Sequence, residues 1–220
     1  MKRILLTIAV ILTFTICHAQ LGEMCADSLR PADLLFVVNN KGNAITAVTE
    51  GTGQLPIDHV ALFYIDDKSH VPSVIHADYQ GVRHSSLNTF LSERKTDSDT
   101  TSHFIVVGKV QAPFDVKQSL RNSFSHLGKA YDYYFLPDDS TIYCSELVQI
   151  SYVDCDGKPL FSPIPMTFRD SNGKIHQYWV QHYKKKGIAI PEGEPGSNPG
   201  DLSRRNIVKI LGKLVLCHKD

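Results

Sequence analysis

Two apolar runs separated by a short polar turn set the strongest limit on what this chain can become. Residues 57–65 (IDHVALFYI) and 72–77 (PSVIHA) are rich in β-branched and aromatic side chains. Asp66-Asp-Lys-Ser-His between them, ahead of Pro72, has turn chemistry, so the pair is expected to form an antiparallel hairpin. Each arm carries one imidazole: His59 shares a strand face with Ala61, Phe63 and Ile65, and His76 follows 17 residues later. On neighbouring strands the two rings can lie side by side. A lone strand histidine is more often a surface or satisfied residue, so the pairing carries the interest.

The surrounding chain supplies partners for such a hairpin. Residues 34–38 and 103–110 read as further strands, and 85–93 and 114–127 show apolar residues at helical spacing, the latter with Asp115 near its start. Strands at hairpin distances mixed with helices indicate an α+β domain with an antiparallel sheet packed against helices, rather than a doubly wound sheet. With 220 residues, 42% of them hydrophobic, the chain can bury a sizeable core, and one domain over 20–220 is expected. The Pro- and Gly-rich stretch 191–199 is expected to hold neither helix nor ladder and to act as a lid or a linker. Beyond it Asp201 is expected to cap a helix through about Leu211, with an apolar end at 213–217.

The first residues concern the compartment. Lys2 and Arg3 precede an uncharged run of 13 residues, Ile4 to Ile16, and Cys17-His-Ala19 offers a cleavage site ahead of Gln20. This is the form of a secretory signal peptide over residues 1–19, and the run is short of the roughly 20 apolar residues a membrane span needs. A lipidated Cys17 is the weaker reading, because Phe14 and Ile16 replace the small residues expected before it. The expected location is the periplasm or cell envelope of a bacterium, with at most peripheral membrane contact. Basic and acidic residues balance at 23 each, and removal of the leader leaves 21 against 23, so no field attracts a nucleic acid. Four cysteines then remain, too few for a disulfide scaffold, and the pairing among Cys25, Cys155 and Cys217 is open.

The fourth, Cys144, stands where chemistry is possible. Asp139, Ser140 and Thr141 are good capping types, so Cys144 is expected in the first turn of a helix running to about Val153. There, unpaired backbone N–H groups and the helix dipole favour thiolate over thiol and could hold an oxyanion. The competing reading is plain packing, since Cys144, Leu147, Val148 and Ser151 share one helical face.

Taken together, the two halves resemble a known family. His59-Val-Ala-Leu-Phe with Val74-Ile-His-Ala is similar to the histidine half of NlpC/P60 papain-like cysteine hydrolases, and Gly128-Lys-Ala-Tyr131 with Cys144-Ser-Glu-Leu-Val resembles the cysteine half. The histidines come first, the order of the circularly permuted YiiX/YebB-like branch. The resemblance covers roughly residues 30–155 and implies a permuted papain-like fold. It further implies Cys144 as nucleophile, His59 as general base and His76 as the orienting third member, with Asp78 and His84 as stand-ins for the last. Tyr131, Tyr143 and Ser145 are the implied substrate-binding residues, Tyr143 standing where the ordinary family has Asp.

Three functions follow as expectations. The first is an exported cysteine hydrolase cutting an amide in a cell-wall peptide or a small acyl-amide, with no metal or organic cofactor. The second is a lipid-directed thiol acyltransferase or phospholipase, a poorer match because such proteins read Asn-Cys-Glu-His where this chain has Tyr-Cys-Ser-Glu. The third is a binding module without turnover. Among ten histidines there is no His-Glu-x-x-His and no Cys-x-x-Cys, so no zinc site is expected. Lys184–Lys186 and Arg204-Arg205 read as solvated helix surface, Trp179 as core, and Tyr133, Tyr134 and Phe135 as core or cleft wall.

Overall fold

A computed structural model describes residues 21–94, 103–138 and 140–217. The signal peptide expected at 1–19, and the capping role of Asp139, lie outside the described residues. In chain order the elements are β1 (Glu23–Cys25), β2 (Leu34–Asn39), β3 (Ile57–Ile65), β4 (Pro72–Asp78), β5 (Gly81–Ser86), α1 (Leu87–Glu93), β6 (His103–Val110) and α2 (Val116–Ser125). There follow β7 (Ala130–Tyr131), β8 (Thr141–Ile142), α3 (Cys144–Ser151), β9 (Ile164–Pro165), α4 (Gln177–Lys186), β10 (Pro195–Gly196), α5 (Pro199–Arg204) and β11 (Val208–Val215).

Seven strands form one sheet in the order β1-β11-β6-β2-β3-β4-β5, antiparallel except for the parallel β1–β11 edge. The central strand β2 is an unbroken apolar run because both of its faces are covered. Leu34, Phe36 and Val38 pack with Val60, Leu62, Ile75 and the α3 residues Leu147 and Val148. Leu35 and Val37 pack on the other side with Ala61, Phe63, Val74 and Phe90 of α1. The period of two thus sorts one strand between two cores. A third cluster, Tyr143, Met166, Phe168, Trp179 and Tyr183, joins α4 to the start of α3.

The expected hairpin forms, with Leu62 opposite Ile75 and Ile65 opposite Pro72. Helix α2 is shorter than its periodicity predicts. Asp115 caps it, its Oδ1 accepting from Gln118 N–H at 2.8 Å, so Phe114 lies outside. The helix predicted from 85 begins at Leu87, since Ser85 and Ser86 still pair with Val74 and Ser73 in β5.

Three expectations near the C-terminal end are corrected. Asn198, not Asp201, is the cap: its Oδ1 accepts from Asp201 N–H at 2.6 Å, and Pro199 occupies the first turn. That helix ends at Arg204, and the stretch to Leu211 and beyond is strand β11, antiparallel to β6. Alternating Val208, Lys209, Ile210 and, after a bulge, Gly212, Lys213, Leu214 suits a strand with one covered face better than a helix. The Pro-rich stretch 191–199 also holds a short ladder, Pro195–Gly196 against Ile164–Pro165.

Gly212 explains how the edge closes. A Cβ there would lie 2.3 Å from the Gly22 carbonyl oxygen, which accepts from Lys213 N–H at 2.7 Å. The bare backbone lets β1 lie alongside β11, and Cys25 pairs with Cys217 across the join with Cα atoms 5.6 Å apart. This settles the open pairing: among the described residues Cys155 is exposed and free, and Cys144 is buried and free.

Candidate active site

The ladder between β3 and β4 stops at Leu62 and Ile75, so residues 59–61 and 76–78 flank an opening in the sheet. His59 and His76 bridge it. His59 Nε2 and His76 Nδ1 are 3.1 Å apart in a hydrogen bond, the rings meet edge to face, and both pack against Phe90. The antiparallel register delivers this contact from residues 17 apart.

Cys144 meets the same opening from the α3 side. In β3 the odd-numbered residues bond towards β2, as Phe63 N–H does to the Asp33 carbonyl at 2.9 Å. The Val60 N–H therefore turns towards β4, where no strand reaches it, and Cys144 Sγ takes the acceptor's place. The sulfur thus sits against the residue next to His59, and among the described residues no hydrogen bond joins it to the His59 ring.

Helix α3 starts at Cys144 but not through the expected caps. Thr141 pairs in β8 with Ala130 of β7, and Tyr143 is the N-cap, its N–H donating to Glu146 Oε2 at 3.2 Å. The short β8 strand feeds straight into the helix.

The thiolate expectation is also corrected. Burial pushes the Cys144 thiol up to about 12, outweighing the N–H groups of Val60 and Ser145 that favour the anion; the nearby Asp58 carboxyl adds to the rise. The helix start is therefore real, but desolvation of a sulfur that is 3% exposed dominates. Asp58 itself is held by Asn39 and Asn43 at 2.8 and 2.7 Å, and burial raises its pKa. Burial likewise holds both imidazoles well below their usual range, helped by the charge of Arg94. Arg94, at the end of α1, stacks over the Phe90 ring at 4.6 Å.

Behind His76 lies a charged cluster. Its Nδ1 is 3.8 Å from Asp78 Oδ2, and Arg83 bonds Asp78 at 2.6 Å and Glu93 at 2.7 Å. His76, Asp78 and Glu93 bring donor atoms within 4.8 Å of one another, the spacing of a metal site. The guanidinium already lies on both carboxylates, so the trio is a charge-paired cluster and does not fit a divalent cation. His84 is elsewhere, bonded to Tyr64 Oη at 3.0 Å.

A cavity opens over Cys144. Its walls are largely apolar, from Ile45, Val48, Phe135, Met166 and Trp179, with Tyr131, Tyr143 and Ser145 also on it. Of the implied substrate-binding residues, all three line this space. Trp179 is core and cavity wall at once, while Tyr133 is exposed and donates to the Tyr79 carbonyl. Lys184–Lys186 form the exposed last turn of α4, and Arg205 pairs with Asp201.

The sequence reading missed Arg83, Arg94, Met166 and Ser197. The first two follow the hairpin closely enough to have been suspected as charge partners, whereas the last two come from distant segments with no motif.

A papain-like cysteine hydrolase is the class this arrangement defines, with the histidine strands ahead of the cysteine helix. Residues 29–211 match the profile of the permuted papain-like amidase enzymes, YaeF/YiiX, C92 family, and the chain belongs to that family. Among solved structures it is similar to the metalloprotein yiiX from Escherichia coli O157:H7, at 20% identity and a TM-score of 0.64, covering 84% of this chain and 97% of that one. A search of curated protein sequences found no match.

Proposed function

We propose that this cysteine hydrolase is exported and cleaves an amide in a cell-wall peptide or a small acyl-amide through Cys144, His59 and His76. The observation that carries the reading is the opening in the sheet, which a hydrogen-bonded pair of neutral imidazoles bridges and a helix-start sulfur, itself on the cavity wall, meets through the Val60 N–H. With Nε2 engaged by His76, His59 has Nδ1 to take the thiol proton. As substrate enters, the Cys144 sulfur must turn from the Val60 N–H to that nitrogen. Because the thiol rests protonated and the imidazoles neutral, proton transfer accompanies attack instead of preceding it.

Sulfur then bonds to the acyl carbon, and the amine leaves with the proton that His59 received. Water, deprotonated by the same nitrogen, releases the acid. The imidazolium formed between these steps donates through Nε2–H to His76 Nδ1, and the Asp78 carboxylate, pinned by Arg83, lies 3.8 Å from that His76 nitrogen. His76 is thus the positioning residue, backed by Asp78.

The apolar cavity wall favours an apolar acyl side and keeps a lipid acyl substrate as the second reading. Cell-wall fragments and lipid extracts, each incubated with the wild type and with Cys144→Ala, separate them by mass analysis. Loss of an amide-linked fragment only with the wild type supports the amidase. Change confined to the lipid arm supports the second reading, and no difference in either arm favours the binding module.

A further inference from the structure

Among the described residues, two hydroxyls on the cavity make no well-formed hydrogen bond although fully buried: Ser145 Oγ and Ser197 Oγ. An unsatisfied buried hydroxyl is costly, and natural folds keep one chiefly where something else uses it. Ser145 belongs to the helix that carries the sulfur. Ser197 arrives from the other side, on the segment that leads into α5.

That segment is held firmly. Pro195 and Gly196 pair with Pro165 and Ile164, Asn198 caps α5, and Ser197 N–H donates to Tyr143 Oη at 3.0 Å. Gly196 packs so closely that a Cβ would lie 2.6 Å from Met166 Sδ and 2.8 Å from Tyr143 Oη. Tyr143 immediately precedes the sulfur, so this clamp fixes Ser197, which is 2% exposed, relative to the start of α3. The Ser197 hydroxyl lies beside the Tyr143 phenol but makes no well-formed hydrogen bond there. The free space it shares with Cys144 and Ser145 is about 40 Å³, room for about three or four water-sized groups at roughly 10–15 Å³ each. A carbonyl oxygen is of that size.

We infer that Ser197 is a catalytic residue whose hydroxyl donates to the acyl oxygen as it becomes an oxyanion, opposite the backbone N–H groups at the start of α3. The inference rests on the proposed role of Cys144. When sulfur bonds to the carbonyl carbon, the π pair moves onto oxygen and the thiol proton passes to His59. Ser197 contributes a hydrogen bond to that oxygen and keeps its own proton. Collapse restores the carbonyl and expels the leaving group.

The test compares two small probes on wild type and Ser197→Ala. p-Nitrophenyl butyrate passes through an oxyanion, whereas iodoacetamide alkylates sulfur without one. Ser197→Ala should slow Cys144-dependent p-nitrophenolate release about 10- to 100-fold, towards the lower side of what one lost oxyanion donor costs. Its rate of Cys144 alkylation should match the wild type, and its melting temperature should be equal or higher. An unchanged ester rate, equal slowing with both probes, or a variant that unfolds would each overturn the inference, the last because a partnerless hydroxyl carries no fold. Ester release that survives Cys144→Ala in otherwise wild-type protein would instead overturn the nucleophile assignment, and this inference with it.

Discussion

Replacing His76 by glutamine and titrating stability against pH isolates the cost of keeping an imidazole in the sheet. His76 is 0% exposed, packs edge-on to Phe90 at 5.1 Å, and leaves Nε2 without a partner among the described residues. Burial holds its pKa well below the ordinary 6.5, the Asp78 carboxylate opposing that fall only in part. Above pH 6.5 the ring is neutral in folded and unfolded chains alike and contributes nothing to the pH dependence. As the pH falls below 6.5 the unfolded chain takes up a proton that the folded chain refuses, so stability is lost with acid. The loss is about 1.4 kcal/mol per pH unit, hence about 2 kcal/mol from His76 alone between pH 6.5 and 5.0. Urea unfolding of wild type and His76→Gln at pH 7.5, 6.5 and 5.0 reads this directly. The stability difference between the two proteins should shift by about 2 kcal/mol in favour of the variant over that acid interval. Parallel pH slopes would refute the argument that this imidazole is folded in its neutral form.

Other outcomes follow from single contacts. Cys25→Ser with Cys217→Ser removes a link between residues 192 apart; a chain-entropy treatment puts the loss near 5 kcal/mol, readable as a fall in the urea midpoint. Tyr152→Phe deletes the hydroxyl that donates to the Ala32 carbonyl at 2.7 Å and should cost about 1–3 kcal/mol of unfolding free energy. Gly196→Ala should push the clamp away from Met166 and Tyr143, destabilise by about 1–3 kcal/mol as overpacking does, and change Trp179 fluorescence. His59→Ala should nearly abolish turnover, while His76→Ala should retain more of it; equal losses would mean that His76 does more than orient.

How much of this was legible varies with what each residue obeys. Strands 57–65 and 103–110 have the bounds read from the sequence, because β-branched runs between turn residues obey local rules. The His59–His76 contact was legible through spacing and register alone. β5 was missed because Arg83, His84, Ser85 and Ser86 give it a polar composition, and β11 was misread because Asp201 and Arg205 imitate a helix start that ends one turn later. The state of the sulfur could not be read locally. The helix-start effect is written in residues 143–146, but burial of Cys144 depends on packing against Val60 and Leu62. Ser197 and Met166 meet Tyr143 only through tertiary contacts, which no motif announces.

The assignment of Cys144 as nucleophile with His59 as its base is tested most directly by trapping the acyl-enzyme. The protein is mixed briefly with p-nitrophenyl butyrate, quenched in acid and mapped by peptide mass. A butyryl thioester on Cys144, absent when His59 is alanine, is the expected result. Turnover with Cys144 unmodified, or acylation confined to the exposed Cys155, would contradict the account.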